Sequence, residues 1–319
     1  QDPAEAITPA EARAAGLDER IAPPSIRAGT MIGRLLPGPA AELGLPRGLP
    51  VVAGANDAIA TFLGAGLTEA GQAIDTGGTS GGFGLYVNGR VAAPPLWTGP
   101  APLPGLHYVG GAMAGTGKAL DWLADDILGA STPLAELLAE AATAPVGAGG
   151  LLFLPYLAGE RWPLHDPATR GAFVGLTLRH RRAHVVRAVL EAAAFALRHV
   201  AAPAVSAGLP FRELRVTGGT AASPLWNQVK ADVLGVEVAV PRVAEASVAG
   251  AAILAAVGSG LVADERAGIE ALVRVAERLA PDPAAREVYD RLAPEYEELH
   301  ARLAPTNAFL AAVETQSHA

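Results

Sequence analysis

Ala73-Ile74-Asp75-Thr76-Gly77-Gly78-Thr79-Ser80-Gly81-Gly82-Phe83-Gly84-Leu85-Tyr86-Val87 joins two apolar runs through a glycine-rich bend. The composition on either side predicts strands over Ala73–Thr76 and Phe83–Val87, hence a β-hairpin. Three readings of the bend compete. A tight turn needs only one or two glycines, and this one has more. A phosphate cradle would use successive backbone N–H groups and the Thr79 and Ser80 hydroxyls, with no Cβ to block approach. Gly78-Thr79-Ser80-Gly81-Gly82 also fits the G-x-S-x-G nucleophile elbow, but that elbow needs a helix directly after the serine. Here a strand-like run follows, so the hydrolase reading fails on context.

Outward from the hairpin, strand and helix patterns alternate. Leu49–Gly54 reads as a buried strand, followed by a helix from Asp57 to about Gly64. Downstream, Lys118–Leu128 and Pro133–Ala142 read as helices and Gly150–Pro155 as a strand. His184–Val200 is a long helix, Leu214–Thr217 a strand, Pro224–Leu234 a helix, Glu237–Val240 a strand and Ser247–Val257 a small-residue helix. Residues 91–105 read as a Pro-rich loop, and about Pro281 to Val313 as a charged helical tail. The alternation predicts an α/β fold, and the hairpin makes its sheet mixed.

The 319 residues carry a formal charge of −8 without any basic run, which argues against nucleic acid and anionic membrane as partners. Pro and Gly form roughly a fifth of the chain, below the low-complexity range of about 25–30%. With no cysteine, disulfides, thiolate zinc sites and a cysteine nucleophile are excluded, in keeping with a cytoplasmic location. No signal peptide or uninterrupted apolar stretch of about 18 residues is visible. The chain opens on Gln1 and not on Met, which fits a processed or shortened piece as well as a fragment of a longer protein.

Asp57 follows a strand and starts a helix, where the helix dipole favours its ionised form; it is either an N-cap or a general base. Gly115-Thr116-Gly117-Lys118 departs from a P-loop at Ala112 and Ala119, leaving a glycine turn at a helix start. Thr217-Gly218-Gly219-Thr220-Ala221-Ala222-Ser223 joins a strand to a helix, where glycines admit a ribose or an anion. Glu160, Arg161, His165, Asp166 and Arg170 read as a structural cluster of salt bridges and hydrogen bonds. His180 and His184 sit beside arginines, which argues against a metal site, and no metal-ligand set is read from the chain. Leu225 and Trp226 read as core.

The run Gly159-Glu160-Arg161-Trp162-Pro163-Leu164-His165-Asp166-Pro167-Ala168-Thr169-Arg170-Gly171-Ala172-Phe173-Val174-Gly175-Leu176 closely resembles the second signature of the FGGY carbohydrate kinases. Arg187 to Ala192, Gly218-Gly219 through Gly235, and Gly250-Ala251-Ala252 continue the xylulokinase-like pattern, so the resemblance runs from about residue 25 to about 300. It implies the actin-like ATPase (ribonuclease H-like) fold with ATP in a cleft between two domains. It implies Asp57 as the base that takes a proton from a sugar hydroxyl. It implies Gly78 and Thr79 as the second phosphate loop, Gly117 against the nucleotide phosphates, and Gly218, Gly219, Thr220 and Ser223 as the adenosine motif, with Mg²⁺ as cofactor. The family's first loop, Asp-x-Gly-Thr, has no counterpart upstream of Asp57. The expectation is the last two-thirds of a kinase, inactive by itself. Residues 1–67 would be the remnant of the first, sugar-binding domain, 68–300 the second domain and 301–319 a helical tail. A ketose such as xylulose, or a related polyol, is the expected small-molecule substrate. A homodimer stays open. The competing reading is a non-catalytic nucleotide-binding partner subunit of the same fold.

Overall fold

A computed structural model describes residues 9–21, 26–78, 80–129, 131–243 and 245–317. The first part holds α1 (Pro9–Ala14), β1 (Met31–Arg34), α2 (Pro37–Leu43), β2 (Pro50–Val52) and α3 (Asp57–Gly64). There follow β3 (Gln72–Asp75), β4 (Gly82–Asn88), β5 (Trp97–Pro100), β6 (Leu106–Ala112), α4 (Lys118–Trp122), α5 (Leu134–Thr143), β7 (Leu152–Leu154) and β8 (Ala172–Val174). The remainder is α6 (Arg182–Ser206), β9 (Glu213–Val216), α7 (Pro224–Leu234), β10 (Glu237–Pro241), α8 (Ala246–Gly258), α9 (Glu265–Leu272), β11 (Val275–Leu279) and α10 (Pro283–Ser317).

Seven strands form one sheet in the order β11-β10-β9-β3-β4-β6-β5. The hairpin β3–β4 forms as expected, with Asp75 opposite Phe83, and β4 then pairs antiparallel with β6. Strands β9 and β10 add to β3 in parallel. Side chains along β4 alternate between the two faces, as the pleat requires. Phe83, Leu85 and Val87 pack with Ala196, Leu197 and Val200 of α6. On the opposite face Tyr86 and Ile74 pack with Phe62 of α3 and Ile253 of α8. This is a mixed sheet flanked by helices on both faces, the architecture that the actin-like ATPase resemblance implies.

Two local features explain where helices begin and end, and a third how two of them pack. Asn56, not Asp57, caps α3: its side chain accepts the Ile59 N–H at 2.8 Å. Helix α7 has Ser223 as its N-cap, Pro224 in its first turn and Gly235 in the left-handed conformation at its end. Helices α3 and α8 cross in close contact, because a Cβ on Gly64 would stand 1.7 Å from the Ala246 carbonyl oxygen and one on Gly250 1.8 Å from that of Ala60.

Three expectations need correction. Strand β2, read as buried, leaves Val51 exposed, and Leu49 directly before it is exposed too. The stretch taken as a Pro-rich loop contains the edge strand β5, and β6 follows it and pairs between β4 and β5. Helix α6 is longer than expected. By length and composition it could cross a bilayer, but 72% of its most apolar window is buried inside the fold. Helix α10 runs unbroken past residue 300.

Candidate functional site

The parallel arrangement of β3, β6 and β9 decides where the glycine turns go. Strand β9 is parallel to β3, and both β3 and β6 are antiparallel to β4. All three strands therefore end at the same edge of the sheet. Each is followed there by a glycine turn: Gly77-Gly78 after β3, Gly115 to Gly117 after β6, and Gly218-Gly219 after β9. The turns touch. The Thr220 N–H donates to the Gly77 carbonyl at 3.3 Å, and the Thr217 N–H to the Asp75 carbonyl at 3.1 Å. A Cβ at Gly117 would stand 2.1 Å from the Gly78 carbonyl oxygen, so only glycine allows this approach.

A cavity of about 460 Å³ opens over the three turns. Gly78, Gly117, Gly219, Thr220 and Ser223 line it, which brings together five of the residues singled out in the sequence. Gly218 is not on its wall. It has φ +72°, and a Cβ there would stand 2.5 Å from the Gly77 carbonyl oxygen. Thr79 lies outside the described residues. Leu120, Leu134, Leu138 and Trp226 supply an apolar side to the same cavity. Trp226 is buried as expected of a core residue, and it also forms part of this wall.

Asp57 is not brought to the cavity. Its carboxylate is exposed at the first turn of α3, with Oδ1 accepting the Ala58 N–H at 2.8 Å. Its neighbours Gly54, Ala55 and Asn56 line a different cavity of about 640 Å³, shared with Pro100 to His107 before and at the start of β6.

The charged loop after β7 is structural, as expected, but its bonds go mainly to backbone. Glu160 is buried and accepts the Ala114 N–H at 2.8 Å and the Arg161 N–H at 2.7 Å. Burial pushes its carboxyl pKa up, opposed by those two bonds. Arg161 donates to the Met113 carbonyl at 2.9 Å, and the Trp162 N–H to that of Ala112 at 3.2 Å. The loop is thus stitched to the end of β6, directly before the Gly115 to Gly117 turn. His180 and His184 accept the Thr177 and Arg181 backbone N–H groups, which accounts for their ring nitrogens at that helix start.

Sequence reasoning missed Lys230. Its ammonium lies 2.6 Å from Asp75 Oδ2, and both side chains are almost fully buried beneath the turns. It also donates to Thr220 Oγ1 at 3.0 Å. A lysine in a helix otherwise reads as a solvated charge; its one signal was spacing, four residues after Trp226 on the same helix face.

An α/β domain with a glycine-lined cavity at a common strand edge is the class that fold and site define. Residues 75–259 match the FGGY family of carbohydrate kinases, C-terminal domain. The xylulose kinase of Staphylococcus epidermidis is 32% identical over 282 residues, covering 88% of this chain and 57% of that protein. The glycerol kinase of Alkalilimnicola ehrlichii is 40% identical over 225 residues, covering 68% and 45%. The crystal structure of xylulose kinase from Rhodospirillum rubrum superposes with a TM-score of 0.83 at 37% identity, covering 93% of this chain and 60% of that one. The chain belongs to the FGGY family of carbohydrate kinases. It spans about half the length of the curated relatives it matches.

Proposed function

We propose that this chain is the nucleotide-binding part of an ATP-dependent kinase that phosphorylates a sugar or polyol hydroxyl. One observation carries the reading: three glycine turns on parallel strand ends line a single cavity, with an apolar wall at one side. Glycine turns present backbone N–H groups to phosphate oxygens, and the apolar wall suits the flat face of a base. When bound, ATP supplies the γ-phosphoryl group. Gly78 and Gly117 would hold its phosphates, and Gly219, Thr220 and Ser223 the adenosine. Among the described residues no group of three or more His, Cys, Asp or Glu is set to hold a metal ion. Mg²⁺ would instead be held mainly by the phosphates, as is usual in kinase sites.

Asp57 is the proposed base. It would accept the proton of the acceptor hydroxyl while that oxygen bonds to the γ-phosphorus and the bond to ADP breaks. Because Asp57 falls in the proposed first-domain remnant, residues 1–67, its approach to the cavity would depend on domain closure. Relatives named xylulose kinase and glycerol kinase leave the acceptor open between a ketose and a polyol, with xylulose the first choice.

One observation favours the second reading, a nucleotide-binding subunit without catalysis: Asp57 is not on the cavity wall. The two readings separate in one assay. The protein extended by the codons upstream of Gln1 is given MgATP with xylulose, gluconate or glycerol, and ADP release is followed. The kinase reading predicts turnover on one acceptor, lowered by about 10²–10⁴ in Asp57→Asn with ATP binding intact. ATP binding without turnover on any acceptor would support the non-catalytic reading instead.

A further inference from the structure

The Asp75–Lys230 pair joins what the sequence keeps far apart. Asp75 ends β3 and Lys230 lies on α7. The Asp75 carboxylate uses both oxygens: Oδ1 accepts the Gly77 N–H at 3.0 Å, and Oδ2 faces the Lys230 ammonium at 2.6 Å. The same ammonium donates to Thr220 Oγ1 at 3.0 Å, and Thr220 in turn donates its N–H to the Gly77 carbonyl. A closed ring of contacts therefore ties the first glycine turn to the third from below.

The ring fits no simple stabilising role. Two opposite charges are held out of water, an arrangement that well-packed apolar residues often match in stability. What an apolar pair could not do is orient the Gly77 N–H and the Thr220 hydroxyl at once. Gly77 leaves no slack, since a Cβ there would stand 2.2 Å from the Thr217 carbonyl and 2.4 Å from Thr220 Oγ1. The apolar wall has an anchor of its own. Trp226 is fixed through its indole N–H on the Leu190 carbonyl at 3.0 Å, and Lys230 adds a cation–π contact over its ring at 5.5 Å.

We infer that Asp75 and Lys230 are positioning residues that hold the first and third glycine turns in register, so that the phosphate turn at Gly78 and the adenosine turn at Gly219 and Thr220 meet one nucleotide together. This deepens the proposed function and rests on it. The consequence is graded: breaking the pair should weaken ADP and MgATP, which span both turns, more than adenosine, which meets only the third.

Calorimetry on this chain with adenosine, ADP and MgATP tests it, in the wild type and in Lys230→Met, with circular dichroism as the check on folding. Lys230→Met should bind ADP and MgATP at least about tenfold more weakly, with adenosine changed less than about threefold. If Lys230→Met does not fold, Lys230→Gln keeps the aliphatic stem and a donor for Thr220 and carries the same comparison. Asp75→Asn with Lys230→Gln, which restores a neutral hydrogen-bonded pair, should recover part of the ADP affinity. Equal binding of all three ligands by wild type and variant, or a loss of adenosine in proportion to ADP, would overturn the positioning role alone. A wild-type chain that binds none of the three would overturn the nucleotide reading and this inference with it.

Discussion

At the scale of single residues, the site depends on what is absent from side chains. Gly117 approaches the Gly78 carbonyl so closely that a methyl group would stand 2.1 Å from that oxygen. Backbone must move to relieve such an overlap. Gly117→Ala should therefore weaken MgATP binding by about tenfold or more while leaving the sheet intact, because overpacking typically costs 1–3 kcal/mol. Titration of ATP against the variant, with a thermal melt alongside, checks this; unchanged affinity would remove Gly117 from the cradle. Most of these residues were legible. A glycine between a strand and a helix is conspicuous, and Gly78, Gly117, Gly219, Thr220 and Ser223 do meet at one cavity. Lys230 was not legible, since its role arises only when α7 folds back beneath β3.

At the scale of elements, strand β6 shows why some structure escaped the sequence. Leu106-His107-Tyr108-Val109-Gly110-Gly111-Ala112 carries two glycines, which weaken any strand assignment. Both are there for close approach. A Cβ on Gly110 would stand 2.6 Å from the Phe83 carbonyl, and one on Gly111 2.9 Å from the Trp162 ring. The helices hold a second lesson. Glu191 of α6 accepts the Arg187 side chain at 2.7 Å, the Tyr289 hydroxyl at 2.7 Å and the Gly147 N–H at 3.0 Å, docking α10 and the turn before β7 onto α6. Also on α6, burial first, and the neighbouring His300 of α10 second, hold the His199 pKa down to about 4. An unfolded histidine titrates near 6.5, so between those values the unfolded chain binds more protons than the folded one. Stability from this residue is complete above about pH 6.5 and is lost as the pH falls toward about 4, by on the order of 3 kcal/mol. Urea unfolding across that window should show the loss in wild type and a smaller one in His199→Asn. Parallel curves would mean that the imidazole is not the group responsible.

At the scale of the whole molecule, the two ends of the described chain differ in character. The centre of the seven-stranded sheet, β3, β4 and β9, is buried. By contrast β1 and its surroundings turn Met31, Ile32, Leu36, Leu43, Leu45 and Val51 toward solvent. Apolar surface in that quantity is characteristic of an interface, and here it is the surface on which the proposed first domain would continue. The proposed division also explains why fold and nucleotide cavity could be read further than substrate. The turns that would hold phosphates lie within residues 77–219, whereas the proposed sugar-binding remnant is residues 1–67 and the chain spans about half the length of its curated relatives. The central claim is that the three glycine turns form one phosphate cradle, and a crystal structure of this chain with ADP and Mg²⁺ tests it most directly. The account predicts the phosphates within hydrogen-bonding distance of the backbone N–H groups at Gly78 and Gly117, with the base against Leu138 and Trp226. Density for the nucleotide elsewhere on the molecule, with the glycine turns making no contact to it, would contradict the account.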